Sequence, residues 1–395
     1  MVLTLSGCQY SSDASSSAEV TGTPAAGSTD APTTTTEPPP APVTIQPDGG
    51  KDVTPVAPIT VTVPGRTLTD VSVNNVVTGV TVDGSLAPDE STWHIGEPLG
   101  YGNRYRVVVH SVGPDGDRER TTGMITTLTP ADTFEANLIP APSLVQRSGI
   151  GVGQPIVFQF TKPVRNRARI ERQLSVATEP KQQGSWYWMD SQNVHYRPQH
   201  FWRPGTEITV KGMVYGVDLG GGVFGGSDTI NRYRVHDSWI AKADGKSHLV
   251  RVYHNGKLVK TMRASLGKRS TPTHRGIHVI SERHKKYLMT SCSYGVCDKQ
   301  DPDFYRTVAR WSSRISNDGE FVHENPATVG VQGERNVSHG CINLNGADAK
   351  WFYNHLSYGD VVIVTRSGGP KLPVWNLYGD WSLSWRDWLE GSALS

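Results

Sequence analysis

The sequence predicts a mainly β protein, with two immunoglobulin-like β-sandwiches in tandem followed by a third β-rich domain with short helices. Gly (41 residues) and Pro (26) are frequent in this chain of 395 residues, which is typical of short strands joined by turns. From residue 59 onward, short runs of alternating Val, Ile and Thr recur roughly every ten residues between turn-forming residues. A formal net charge of only +2 gives no general case for a nucleic-acid-binding protein.

Residues 1–54 are predicted to be an N-terminal anchor followed by a linker. The stretch Leu-Ser-Gly-Cys that ends at Cys8 resembles the box of bacterial lipoproteins, in which the cysteine is lipidated. The alternative is a chance cysteine in a tail. Residues 9–50 are rich in Ser, Thr, Pro and Ala, a composition that cannot bury enough apolar area to fold. We therefore expect an exported protein, held through Cys8 at the outer face of the plasma membrane, that acts in the periplasm or cell wall.

Residues 55–134 and 135–236 are each predicted to form one immunoglobulin-like sandwich. Strand-like alternation begins at 59–63 and continues through 104–112 in the first unit. Neither unit contains a cysteine pair, so the disulfide that joins the two sheets of antibody domains is missing from both. Four tryptophans are expected in the two cores rather than as sugar-binding platforms: Trp93, Trp186, Trp188 and Trp202.

The third domain is predicted over residues 237–368. Asn255-Gly256 between two strand-like runs is a strong signal for a β-hairpin. Apolar residues spaced by three and seven positions predict a helix over 303–316, and an Asn cap before an apolar face predicts a second helix over 345–356.

The C-terminal segment, 369–395, is expected to pack on the third domain. It contains four tryptophans within 14 residues, which favours burial against a folded surface. A carbohydrate-binding stripe is the alternative interpretation. The four residues are Trp375, Trp381, Trp385 and Trp388.

A candidate nucleophile lies near two histidines in the third domain. Cys341 follows His339 by two residues and His323 by eighteen. A thiol attacks carbonyl carbon as the thiolate, so a neighbouring imidazole that removes its proton makes it reactive. Gly340 allows close approach of the backbone to a substrate carbonyl, and backbone N–H groups there could bind an oxyanion. The residues themselves thus predict a Cys/His acyl-transfer site.

The pattern His-x14-Ser-His-Gly-Cys-x-Asn, from His323 to Asn343, resembles the signature of L,D-transpeptidases with the YkuD-type catalytic fold. Mycobacterial members of that family carry two immunoglobulin-like domains before the catalytic one, and the resemblance extends over about residues 55–395. Further stretches that resemble those members are residues 270–273, 293–296, 305–307, 359–360 and 379–381.

The resemblance implies an acyltransferase of cell-wall biogenesis that helps maintain cell shape. Family members make 3→3 peptidoglycan cross-links: a tetrapeptide stem is the donor, its terminal D-Ala is released, and the side-chain amine of diaminopimelate on a second stem is the acceptor. Carbapenems acylate the same cysteine. No cofactor is implied.

The resemblance also implies roles for individual residues. Cys341 would be the nucleophile, and His323 would be the general base and acid, oriented by the backbone carbonyl of Glu324. His339, Ser338 and Gly340 would shape the site, with oxyanion-binding N–H groups at 338, 340 and 341. The residues expected to line the substrate groove are Tyr305, Asp318, Gly319 and Asn343.

Cys292 and Cys297 lie where the family has a lid over the active site, and this pair departs from the family pattern. In an exported protein we expect a disulfide that stiffens the lid, with a zinc site as the alternative. Asp218 alone is a poor calcium ligand, so no metal is predicted there. The other histidines are interpreted as surface or packing residues, among them His274, His278 and His284.

Three other functions compete with this prediction. An L,D-carboxypeptidase-type hydrolase would pass the acyl group to water through the same cysteine. A non-catalytic wall-binding scaffold lipoprotein would not need Cys341 at all. A sortase-like transpeptidase is the third, but the arginine-bearing cysteine motif of that class is not evident.

Overall fold

The computed structural model describes residues 43–47, 50–301 and 304–395. Strands dominate these ranges, which confirms the predicted mainly β fold class. Cys8 and its predicted lipidation lie outside the described residues, as does most of the linker. The longest helix in the described part of the chain has ten residues, and none there has the length and apolarity to cross a bilayer.

The first sandwich consists of two four-stranded sheets. Its strands are β1 (Thr44–Gln46), β2 (Thr60–Thr62), β3 (Thr67–Asn75), β4 (Thr81–Val82), β5 (Gly84–Leu86), β6 (Thr92–Ile95), β7 (Arg104–Val112) and β8 (Arg118–Thr126). The strand orders are β1-β2-β6-β5 and β4-β3-β7-β8. Along β7, Tyr105, Val107 and Val109 are buried and the residues between them are not, as expected when one face of a strand covers a core. Trp93 is buried in this core, as predicted.

The second sandwich packs sheets ordered β10-β11-β14-β13 and β12-β15-β18, beside a small sheet β16-β17-β9. Its elements are β9 (Asp132–Phe134), β10 (Ala136–Ile139), α1 (Pro142–Val145), β11 (Ile156–Phe160), α2 (Arg167–Glu171), β12 (Leu174–Glu179), β13 (Gly184–Trp188), β14 (Asn193–Pro198), β15 (Glu207–Gly212), β16 (Asp218–Gly220), β17 (Val223–Gly225) and β18 (Thr229–Arg234). Trp186, Trp188 and Trp202 are buried in its core, as predicted.

The third domain is built from a five-stranded sheet, β21-β20-β19-β27-β22, and a four-stranded sheet, β23-β24-β25-β26. Its elements are β19 (Trp239–Asp244), β20 (Leu249–His254), β21 (Lys257–Arg263), β22 (Gly276–Val279), β23 (Glu282–Thr290), β24 (Arg306–Arg314), β25 (Phe321–Glu324), β26 (Ile342–Leu344), α3 (Gly346–His355) and β27 (Val361–Thr365); α4 (Trp385–Leu389) follows in the C-terminal segment. Short 3₁₀ helices span Ser291–Tyr294, Pro326–Val331 and Gly379–Ser382.

Two local predictions in this domain are confirmed. Asn255 and Gly256 both have positive φ (46° and 79°) and connect β20 to β21, as a tight hairpin requires. The helix predicted over 345–356 is α3, and the Asn345 side chain accepts a hydrogen bond from the Asp348 N–H at 3.0 Å.

The helix predicted over 303–316 is wrong, because this segment contains strand β24. The helix-like spacing of Val308, Trp311 and Ile315 does not mark one face, because Val308 is exposed and Ile315 is buried. Trp311 has a φ of 53°, and the register with β25 shifts between Arg310 and Ser313. This extra residue changes the two-residue alternation of a regular strand.

The C-terminal segment bridges two domains, whereas the sequence predicted contact with the third domain alone. Its first part does lie on the third domain, where the Arg275 N–H donates to the Pro370 carbonyl at 2.8 Å. Its second part lies on the second sandwich, where the Trp388 indole donates to the Ser185 carbonyl at 3.0 Å. Arg197 of β14 lies 4.5 Å from the centre of the Trp388 ring and also contacts two further tryptophans. The segment therefore joins the two domains.

Replacing Trp388 with alanine should lower the free energy of unfolding by about 3–5 kcal/mol, because the ring is completely buried. Urea titration followed by circular dichroism measures the change. Trp375→Ala is the matched control, because that side chain is 66% exposed and its loss should cost little. Equal effects of the two substitutions would contradict a joining role for Trp388.

Candidate active site

Cys341 and His323 are brought to one face of a sheet by two neighbouring parallel strands. β25 pairs with β26 in parallel, with Val322 opposite Ile342 and His323 opposite Asn343. Cys341 directly precedes β26, and residues two positions apart share a face of a strand. The thiol and the imidazole therefore lie diagonally across the strand pair, although 18 residues separate them in the chain.

The hydrogen bond between the His323 ring and the backbone of Glu324 shows which ring nitrogen carries the hydrogen. Its Nδ1 lies 2.8 Å from the Glu324 carbonyl oxygen, so Nδ1 carries the hydrogen and donates it. The Glu324 carbonyl is the group that the sequence resemblance implied. Nε2 then has a lone pair that can accept a proton. Burial lowers the pKa of the His323 imidazole to about 4, which keeps the ring neutral and able to act as a base near neutral pH.

Cys341 rests as a neutral thiol. The side chain is 9% exposed, and its Sγ donates to the Gly319 carbonyl oxygen at 3.5 Å. Burial raises the pKa of the thiol to about 12, although a backbone hydrogen bond from Phe321 acts in the opposite direction. The resting pair is therefore thiol and imidazole, not thiolate and imidazolium. The proton must leave the sulfur when the substrate is attacked.

The turn before Cys341 is held by the Ser338 hydroxyl. This oxygen accepts from the Gly340 N–H at 3.1 Å and donates to the Cys341 carbonyl at 2.6 Å. Gly340 has a φ of 118°, a conformation that glycine adopts without strain. The Gly340 N–H is thus bound within the turn, and the Ser338 N–H donates to the Leu266 carbonyl at 3.0 Å; the oxyanion-binding role of these groups stays a prediction. The Gly340 carbonyl is held by the Thr273 hydroxyl at 2.7 Å.

His339 contacts Lys268, a residue that the sequence did not predict to be part of the site. The Nζ of Lys268 lies 3.2 Å from His339 Nε2, and the ring of Tyr305 packs 5.4 Å from the His339 ring, centre to centre. The Lys268 backbone N–H also donates to the Ser338 carbonyl at 2.8 Å. No motif in the sequence identified Lys268, although it lies two residues before the 270–273 stretch that resembles the family.

One cavity of about 340 Å³ brings most of the predicted site residues together. Asn343 lies in its wall, is 1% exposed, and neither its amide oxygen nor its amide nitrogen has a hydrogen-bond partner among the described residues. Unpaired buried amides are costly, so this side chain is suited to bind a ligand. The predicted residues that line the cavity are Tyr305, His323, Ser338, His339, Cys341 and Asn343.

A neighbouring cavity of about 480 Å³ contains the other predicted groove residues, Asp318 and Gly319. Met289 and Tyr305 line both cavities and so form the wall between them. The Asp318 carboxylate accepts a hydrogen bond from the side chain of Asn376, in the C-terminal segment. The segment thus contacts the site that it flanks.

The hairpin of β23 and β24 forms this wall and carries the cysteine pair at its tip. Cys292 and Cys297 form a disulfide in the structure, and both are exposed. At the base of the tip, the Ser291 hydroxyl donates to the Val296 carbonyl at 2.7 Å. Within the described residues, no group of three or more His, Cys, Asp or Glu is arranged to hold a metal ion.

The low pKa of His323 has a consequence for the pH dependence of the reaction. Acylation should remain fast as the pH falls below 6.5, the ordinary value for histidine, and should decline only as His323 gains a proton near pH 4. Stopped-flow acylation by a carbapenem from about pH 8 to about pH 3.5 measures this limb, with circular dichroism as the control for folding. An acid limb with an apparent pKa of 6 to 7 would contradict a buried, neutral His323 as the base.

Comparison with known proteins gives two family matches that follow the order of the domains. Residues 50–218 match the bacterial Ig domain, and residues 238–364 match the L,D-transpeptidase catalytic domain, YkuD. The fold and the site thus define an acyltransferase in which an immunoglobulin-like part precedes the catalytic domain.

The relatives identify the family. The chain is 38% identical to L,D-transpeptidase 2 of Mycobacterium tuberculosis (strain CDC 1551 / Oshkosh), over 88% of this chain and 83% of that protein. It is 33% identical to L,D-transpeptidase 5 of Mycobacterium tuberculosis (strain ATCC 25618 / H37Rv), over 90% and 78%. A solved structure of the LD transpeptidase LdtMt1 in complex with imipenem is 30% identical with a TM-score of 0.51, covering 60% of this chain and all of that one. The chain belongs to the L,D-transpeptidase family.

This membership confirms the predicted enzyme class and fold order. It overturns the non-catalytic scaffold, because the chain carries the catalytic domain of the family. The family acts on the cell wall, which indicates an exported protein.

Proposed function

We propose that this enzyme forms 3→3 cross-links in peptidoglycan through an acyl-enzyme on Cys341. The observation that carries the proposal is the shared cavity of Cys341 and His323, in which the Nδ1–H of His323 is bound to the Glu324 carbonyl and Nε2 can accept the thiol proton. The donor is a tetrapeptide stem, and the acceptor is the side-chain amine of diaminopimelate on a second stem.

In the first half of the reaction, the thiol hydrogen turns from the Gly319 carbonyl towards His323 as the donor stem binds. The sulfur attacks the carbonyl carbon of the donor's diaminopimelate, and His323 Nε2 takes the thiol proton. The carbon–nitrogen bond then breaks, His323 returns the proton to the departing amine, and D-Ala leaves. A thioester on Cys341 remains.

In the second half, the neutral amine of the acceptor attacks the thioester. His323 takes a proton from this amine and returns it to the sulfur, so the new amide forms and Cys341 is restored. The two cavities on either side of Met289 and Tyr305 support this scheme: Cys341 lines one, and Gly319, whose carbonyl accepts from the Cys341 thiol, lines the other. Asn343 binds the donor backbone through its unpaired amide.

The same thiol is the target of carbapenems. One relative with a known structure is complexed with imipenem, and here Cys341 lies in a cavity with a neutral base beside it. We further propose that a lipid on Cys8 holds the enzyme at the outer face of the plasma membrane, with residues 9–50 as the linker that lets it reach the wall.

Product analysis with a purified disaccharide-tetrapeptide tests the proposed function. A dimer that is joined through a tripeptide donor, together with released D-Ala, is the expected product. Release of D-Ala without any dimer, even at high acceptor concentration, would instead indicate the L,D-carboxypeptidase-type hydrolase. Absence of both products would contradict the proposal.

A further inference from the structure

A cluster of buried ionisable side chains lies directly behind the nucleophile. Glu320 is 4% exposed and directly precedes β25 in the chain. It follows Gly319, whose carbonyl oxygen accepts a hydrogen bond from the Cys341 thiol. A methyl group built on Gly340 would lie 3.6 Å from Glu320 Cγ and 3.8 Å from its Oε1, so the carboxyl group packs against the backbone that precedes Cys341.

Two histidines hold this carboxylate from the opposite side. Glu320 Oε1 accepts from the backbone N–H of His274 at 2.7 Å and from its Nδ1 at 3.0 Å. Glu320 Oε2 has no hydrogen-bond partner among the described residues, but it lies 3.7 Å from Nδ1 of His278. The cluster is thus a buried carboxylate between two imidazole rings.

Both ring nitrogens of His278 face backbone carbonyl oxygens. The ring is completely buried, with Nδ1 3.1 Å from the Ile315 carbonyl and Nε2 2.9 Å from the His274 carbonyl. A neutral imidazole carries one N–H, so it could satisfy only one of these two acceptors. Both are satisfied when His278 is an imidazolium, and Glu320 is its counter-ion.

We propose that His278, Glu320 and His274 form a charge-compensated cluster behind Cys341, and that loss of the His274 proton slows acylation of the thiol. The inference rests on the proposed function, because it assumes that Cys341 is the group acylated. His274 is a positioning residue in this scheme: it acts on the thiol through Glu320 and does not touch the substrate.

The charges around the cluster decide the sign of the effect. His274 faces Glu320, and its Nε2 lies 4.0 Å from the Asp318 carboxylate. The hydrogen bond that the His274 ring donates to Glu320 raises the pKa of His274 above 6.5. Arg314 of β24 also acts on the thiol, with the opposite sign to Glu320. With both histidines charged, the two carboxylates are balanced. When His274 loses its proton, one negative charge is left uncompensated. This charge lies beside the sulfur and the substrate carbonyl oxygen, both of which gain negative charge during the attack.

Acylation should therefore fall as the pH rises through the titration of His274. The expected ratio of the rate at about pH 6 to the rate at about pH 9 is on the order of five. His274→Gln and Glu320→Gln should each bring this ratio close to one, whatever they do to the absolute rate. The ratio is a readout that a purely structural role would leave unchanged.

The experiment measures single-turnover acylation of the full chain by imipenem at both pH values, with intact mass to confirm one adduct. Asp237→Asn is the matched control, because Asp237 also bonds a histidine, His254, at 3.0 Å, but on the exposed surface of β20. It should keep the wild-type ratio. If Glu320→Gln does not fold, His274→Gln still tests the inference, because the His274 side chain is partly exposed and its replacement should be tolerated.

The outcomes separate this inference from the proposed function. A wild-type ratio in folded His274→Gln, or a ratio of one in the wild type, would overturn the inference while leaving acylation of Cys341 intact. No adduct on the wild type at either pH would overturn the proposed function, and the inference with it.

Discussion

Replacing Cys341 with alanine should abolish both cross-linking and acylation by imipenem while the protein remains folded. The sulfur is the only atom that the proposed scheme joins to the acyl group, so the loss should be at least about a thousandfold. The methyl group of alanine leaves the small cluster of Met289, Ala309 and Phe321 largely packed. Rates of D-Ala release and of imipenem consumption measure the effect.

The matched control for this variant replaces the other two described cysteines. Cys292→Ser combined with Cys297→Ser eliminates the exposed disulfide but leaves Cys341 in place. This double variant should still gain one imipenem adduct per molecule. Acylation of Cys341→Ala at the wild-type rate would show that another residue is the nucleophile.

Replacing His323 with glutamine should slow acylation by about 10²- to 10⁴-fold without preventing substrate binding. This is the typical contribution of a general base, and it is large here because burial holds the thiol pKa near 12. Glutamine retains a side-chain amide that can donate to the Glu324 carbonyl, but it cannot accept a proton. Single-turnover kinetics with imipenem measure the acylation rate separately from later steps.

His254→Gln serves as the control for the loss of an imidazole elsewhere. His254 is partly exposed on β20 and pairs with Asp237 instead of lining either cavity of the site. Its replacement should leave the rate within about twofold of the wild type. A similarly small effect of His323→Gln would contradict its role as the base.

The sequence predicted the parts of the molecule that depend on local pattern. Alternation in β7 and the Asn255-Gly256 turn have structural consequences within a few residues, so they could be recognised directly. The motif from His323 to Asn343 predicted the residues of the main cavity because its spacing reflects one parallel strand pair. It could not predict that the Gly340 N–H is used inside its own turn, since that depends on the orientation of the Ser338 hydroxyl.

The features that the sequence did not predict depend on contacts between distant segments. The apolar residues in and after β24 have a helix-like spacing in the sequence, but Val308 is exposed and Ile315 is buried, so the spacing does not mark one buried face. The C-terminal segment joins two domains through Arg197, a residue of the second sandwich that no periodicity connects with the terminal tryptophans.

The buried cluster is the clearest example of such a contact. His274 and His278 were interpreted as surface or packing residues because nothing near them in the sequence suggests a charge. Glu320 is 46 residues from His274 and meets it only through folding. A single sequence gives no reason to connect them, whereas their distances and burial in the structure do.

The most direct test of this account is to locate the acyl group on the enzyme. The wild type is treated with imipenem or with disaccharide-tetrapeptide, quenched in acid and digested, and the modified peptide is identified by mass spectrometry. The account predicts one adduct, on the peptide that contains Cys341, and a thioester that hydroxylamine removes. An adduct on any other residue, or cross-linked product that forms while Cys341 stays unmodified throughout the time course, would contradict it.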